Sequence, residues 1–203
     1  MKKYELTEET VTVYGKTLYR IRAVRDFGSV KTGEFGGYIE KEENLSHFGN
    51  AWISGDARVY GDARVFDNAK VYGDARVSGN AKVYGDARVS GDAWVYGDAR
   101  VSGDAWVYGN AWVYGNAWVY GNAEVFNTRH FFVQGPIGSR DGYVTFYRTK
   151  DDTIGVRCGC FSGSLQKFVD RVEETHGGSR YEKEYKIAAE LAKVCIRLEG
   201  ESR

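Results

Sequence analysis

The sequence is short of the residues that most chemistry and most linkers use. Its 203 residues hold one Pro, one Met, three His and three Cys. A single proline excludes a proline-rich spacer or tail. Three cysteines, an odd number, do not make a disulfide framework, and a reduced setting is expected. Charge of either sign is also lacking in excess. Lys plus Arg and Asp plus Glu each number 28, so no global field draws the chain to nucleic acid or to a membrane surface. By region the net charge is 0 over residues 1–44, −2 over 45–127 and +2 over 128–203. No apolar run is long enough to span a bilayer, and the opening MKKYELTEET lacks the apolar core of a signal peptide. A cytoplasmic protein is expected.

What is abundant is glycine, 26 residues, and a period of six. Counting in sixes from His47 through Ile53 and Val59 to Val125 gives 14 hexads, of which 13 carry a β-branched aliphatic at the counted position. Ala stands four places later from Ala51 to Ala123 without exception. An amphipathic helix needs a period near 3.6 and a plain strand a period of 2. Six, with Gly-Asp or Gly-Asn in nearly every unit, fits a short strand followed by a corner, because Gly and Asn/Asp tolerate left-handed backbone angles. The β-branched residue then points inward, its two neighbours point outward, and Ala fits where the chain bends toward the axis.

Hexads such as VYGDAR and VSGNAK resemble the hexapeptide-repeat proteins. That resemblance implies a left-handed parallel β-helix of triangular section, with three hexads per coil. Four to five coils would stand about 20–25 Å tall. The segment Asp26–Ser46 also resembles the start of bacterial hexapeptide proteins named only provisionally as transferases. The fold class expected is mainly β: a left-handed β-helix over residues 47–127, an N-terminal hairpin and cap over 1–46, and a ββαα module over 128–203. The hairpin is expected to turn at Gly15-Lys16. A cap is needed because a solenoid end otherwise exposes open strand edges and core. In the C-terminal part, GPIGSR (135–140) reads as a turn or linker. Residues 142–161 read as two strands, followed by a helix capped at Ser162 or Ser164 and a second helix with an apolar stripe. This part resembles a module of uncharacterised proteins of bacteria and their phages. Closing the solenoid is its expected task.

The family resemblance implies one enzymatic alternative, acyl transfer from acyl-coenzyme A with a histidine as general base. Residues 48–129 hold no histidine and no loop insertion, which leaves His130 and His176 as candidates. His130 is expected to be a solvated junction residue and His176 a helix-end cation. Cys158, Cys160, Cys195 and His176 are the candidate metal ligands, at a spacing unlike structural zinc sites. No cofactor is otherwise expected.

Outward positions 18 apart stack in columns. Trp94, Trp106 and Trp118 each fall one coil after Arg76, Arg88 and Arg100, within reach of cation–π contact. Trp106, Trp112 and Trp118 with Tyr108, Tyr114 and Tyr120 are expected to ring the prism on all three faces. Aromatics suit β faces, but so large an apolar band marks a partner surface. The expectation is a non-enzymatic scaffold that self-associates, trimeric as the resemblance implies, and binds a protein partner. A phage-encoded inhibitor of a host component is one such role. A small nucleotide-like anion held between subunits is a further alternative. Nucleic acid is not expected, because corner aspartates such as Asp86 and Asp98 offset the arginines.

Overall fold

The computed structural model describes residues 2–198. Two long strands open the chain, β1 (Tyr4–Val13) and β2 (Lys16–Ala23), joined by a tight turn at Tyr14-Gly15, one residue earlier than expected. β3 (Phe35–Ile39) pairs antiparallel with β2 and parallel with β5 (Arg58–Val59), so the hairpin continues directly into the solenoid. From β4 (Trp52–Ile53) onward, two-residue strands recur every six residues to β16 (Glu124–Val125). They stack into three parallel sheets, one on each face of a prism of about five turns. The first face runs β3-β5-β8-β11-β14, with β8 (Arg76–Val77), β11 (Trp94–Val95) and β14 (Trp112–Val113). The second runs from β4 to β7 (Lys70–Val71), β10 (Arg88–Val89), β13 (Trp106–Val107) and β16; the third runs β6-β9-β12-β15, from β6 (Arg64–Val65) and β9 (Lys82–Val83) to β12 (Arg100–Val101) and β15 (Trp118–Val119).

The inward valines and alanines are buried throughout, stacked on their equivalents one turn away. Each turn therefore presents the same shape to the next, and no side chain larger than valine or isoleucine is needed to fill the axis. Asp67 stands where other corners have glycine and takes the same left-handed backbone, at φ 58°.

The six-residue count breaks before Ile53. Leu45, not His47, bridges to Val65, and Ile39 pairs with Val59. The turn below β6 is thus two residues longer than the rest, and the extra length loops out with Phe48 83% exposed. His47 is not in the inward column. It stacks on Tyr4 with ring centroids 4.3 Å apart and accepts from the Lys3 backbone N–H at 3.3 Å. The lower end is closed by polar groups aimed at exposed strand edges. Asn44 Nδ2 donates to the Gly61 and Ala63 carbonyls, and the buried Lys3 Nζ donates to the Ala51 carbonyl at 2.7 Å. Burial, aided by Arg25, brings the Lys3 ammonium down to about 8.

At the upper end the module has four strands, not the expected two: β17 (Phe131–Ile137), β18 (Gly142–Arg148), β19 (Ile154–Cys158) and β20 (Phe161–Ser164). GPIGSR is therefore not a linker, since its first half belongs to β17. Pro136 has no N–H to donate, and β17 is an edge strand, where that absence is tolerated. Helix α1 (Leu165–His176), capped by Ser164, and α2 (Arg180–Cys195), capped by Ser179, cover one side of this sheet around Phe146, Val156 and Phe168. The other side closes the prism. Phe131 and Tyr147 join the solenoid core, the Trp118 N–H donates to Thr145 Oγ1 at 2.9 Å, and Ala123 bridges to Thr149.

Candidate functional site

The outward aromatics do not ring the prism as an exposed band. On the third face Trp118 and Tyr120 are partly covered by Arg157 of β19, whose guanidinium lies 4.0 Å from the Trp118 ring centroid and 5.0 Å from that of Tyr120. Arg100 approaches the same indole at 5.3 Å, and Trp118 Nε1 donates to Ser102 Oγ at 3.1 Å. On the second face, among the described residues, Trp106 makes no cation–π contact with Arg88, its partner in the ladder. It tilts onto Tyr108 at 4.7 Å and donates to Ser90 Oγ at 3.4 Å. Tyr108 packs on Phe126 at 5.2 Å and donates to Glu124 at 3.2 Å. In place of the expected Arg88–Trp106 pair, Trp106 thus belongs to a local cluster with Tyr108 and Phe126.

Only the first face leaves its ladder open. Arg58, Arg76, Trp94 and Trp112 form one column through the pairings of β5, β8, β11 and β14. Trp94 and Trp112 stack at 5.4 Å and 12°, and Tyr96 and Tyr114 beside them stack at 5.7 Å and 20°. Arg76 lies 4.8 Å from the Trp94 ring. Trp112 and Tyr114 remain 46% and 45% exposed. A parallel ladder puts like side chains in register at about 4.8 Å, so the face divides into a basic lower half and an aromatic upper half. That surface offers flat apolar area with a cationic border.

The histidine candidates are separated. His130 is not solvated. It is 4% exposed, packed edge-on against Phe126 at 4.0 Å, beside Arg148, which ion-pairs with Glu124 and Asp152 at 2.8 Å each. Burial first, and then the Arg148 charge, bring its imidazole down to about 4. His130 Nδ1 faces the Phe126 N–H at 3.4 Å and Nε2 faces the Asn127 amide nitrogen at 2.8 Å, so a doubly protonated ring would meet donors on both sides. Such a group is poorly placed to take a proton from a substrate. His176 ends α1 in a crevice between the module and the third face, near Tyr185 at 5.7 Å. Cys158 and Cys160 line the same crevice, and Cys195 is not among its lining residues. Burial pushes the Cys158 thiol up. Among the described residues no group of three His, Cys, Asp or Glu converges to hold a metal. The candidate ligands Cys158, Cys160, Cys195 and His176 are therefore not brought together.

The residue that inspection of the sequence passed over is Arg157. It stands alone in a strand, with no motif around it, and its position over Trp118 arises only from the docking of the module on the prism. No helix among the described residues is long and apolar enough to cross a membrane. Among curated proteins, none matches this chain. The repeat region matches a family model described as the YdcK beta solenoid repeat, over residues 51–66, 57–71, 81–97, 93–109 and 105–121. These segments lie within the prism and span less than half of the chain, so the similarity is to a β-solenoid repeat, in agreement with the stacked turns seen here.

Proposed function

We propose that this chain is a non-enzymatic scaffold that self-associates through the open ladder of its first face. The observation that carries this reading is the exposure of Trp112 and Tyr114 on that face, while the aromatics of the other two faces are packed on their own chain. The order of the column favours a particular pairing. A second copy in the same direction would set Arg58 and Arg76 against their own like. A two-fold, antiparallel copy sets Arg58 near the partner's Trp112 and Arg76 near the partner's Trp94. Each such cation–π contact, once desolvated, is worth about 1–2 kcal/mol, and a two-fold axis makes every contact twice. A trimer, as the hexapeptide resemblance implies, would use the same face without this charge complement.

Light scattering from about 1 to 100 µM tests the reading. A dimer that becomes a monomer in Trp112→Ala, with unchanged circular dichroism, is expected. A trimer lost in the same variant would keep the surface and refute the antiparallel register. A wild-type monomer at 100 µM would refute self-association.

A further inference from the structure

The crevice between the third face and the C-terminal module is a cavity of about 690 Å³. Its lining carries four arginines, Arg100, Arg140, Arg157 and Arg171, against one carboxylate, Asp98. Only Arg171 has an acidic partner, Glu174 at 3.2 Å; among the described residues Arg100, Arg140 and Arg157 have none within ion-pair distance. Two of these cations share one indole, Arg100 at 5.3 Å and Arg157 at 4.0 Å from the Trp118 ring. The ring quadrupole attracts each of them, and Asp98, the single carboxylate of the lining, is not within ion-pair distance of either. Carbonyls of Cys160 and Phe161 accept from Arg157 Nη1 at 3.4 Å, which orients the guanidinium without cancelling its charge. Of the aromatic residues that line the cavity, Tyr143 is the exposed one, at 43%, in the strand that follows the Arg140 turn.

The geometry points to a binding site for a small phosphate monoester bearing a flat aromatic group, the chemistry of a nucleoside monophosphate. Guanidinium groups match phosphate oxygens in paired hydrogen bonds. Arg157 and Arg100 both border the Trp118 ring and Arg140 belongs to the turn that lines the same cavity, so a dianion bound there meets positive charge contributed by both the prism and the module. The exposed Tyr143 ring offers a stacking surface for the aromatic part. The cavity volume lies within the usual range for sites that enclose a ligand of this size. The site lies within one chain and on a different face from the ladder of Trp94 and Trp112, so it does not depend on self-association.

Isothermal titration of the full chain with AMP, adenosine and inorganic phosphate tests this. AMP is expected to bind in the micromolar range, with adenosine and phosphate each weaker by about tenfold or more. Arg157→Gln and Arg140→Gln should each weaken AMP by about tenfold; Arg140 sits in an exposed turn, so its variant keeps the fold in place. Trp112→Ala should leave AMP affinity unchanged. The inference fails if about 1 mM AMP gives no heat of binding, or if Arg140→Gln and Arg157→Gln bind AMP as the wild type does. Phosphate binding as tightly as AMP would overturn the aromatic part of the assignment.

Discussion

Acid should loosen this protein at its upper end, and His130 is the reason. In an unfolded chain the imidazole takes its proton near 6.5, while in the folded protein it does so only near 4. Between those values the unfolded chain binds more protons than the folded one, so stability falls as pH falls. The gap amounts to about 3 kcal/mol at roughly 1.4 kcal/mol per pH unit. Paired carboxylates such as Glu40 and Asp62 are also held low by their lysine partners, so wild type alone cannot isolate the histidine. The informative quantity is the difference between wild type and His130→Gln, measured by urea unfolding at pH 7, 6, 5 and 4. The variant starts less stable at pH 7, and its deficit should shrink by about 3 kcal/mol by pH 4. Hydrogen exchange should place the acid-induced opening around Phe126, His130 and β17. Parallel pH curves for the two proteins, with exchange unchanged at that junction, would refute the burial argument.

Three further outcomes follow from the packing. Gly79→Ala should destabilise the solenoid by about 2–4 kcal/mol, since the residue has φ +68° and a Cβ there would lie 2.9 Å from the Gly97 backbone nitrogen; Gly115→Ala, at φ +63° with open space, should cost only the backbone strain of about 1–2 kcal/mol, both read by thermal unfolding. Lys3→Met should remove a pH effect: the wild type gains stability relative to the variant from pH 8 to 10, as the unfolded lysine holds a proton that the folded one has released, and a constant difference over that range would refute it. Arg148→Met leaves the carboxylates of Glu124 and Asp152 without their buried guanidinium, and should cost about 3–5 kcal/mol in urea unfolding.

Much of the architecture was legible because the repeat writes the same local instruction in every turn. A valine, a corner glycine and an alanine at fixed offsets leave one packing solution, and counting recovers it from Ile53 onward. Counting fails at His47 because arithmetic cannot see a loop: the two extra residues around Phe48 shift the inward column to Leu45. The module was half legible. β18 and β19 are β-rich runs on either side of a polar turn and read as a hairpin, but β17 carries Gly135 and Pro136, which read as punctuation unless the strand is known to lie at a sheet edge. The site residues divide in the same way. Trp94 and Trp112 were found by spacing alone, because their neighbours are set by the 18-residue turn. The Arg100–Trp118 contact was found in the same way, but the cover over Trp118 and the burial of His130 come from a part of the chain with no period. Arg157 was missed for the same reason.

The 18-residue turn also acts as a phase clock between the two ends. Each hexad advances the chain by one face, a third of a revolution, so the direction in which the module faces relative to the N-terminal hairpin is set by the number of hexads modulo three. Removing the single hexad Gly79–Tyr84, which carries β9, would rotate the module by about 120° and place Trp118, still stacked on β12, in the column of β5 and β8 instead of that of β6. Removing or inserting three hexads would change the height of the prism by one turn and leave both ends in phase. Lengthening in this scaffold is therefore quantised: only whole turns preserve the alignment of the open ladder with the hairpin below it.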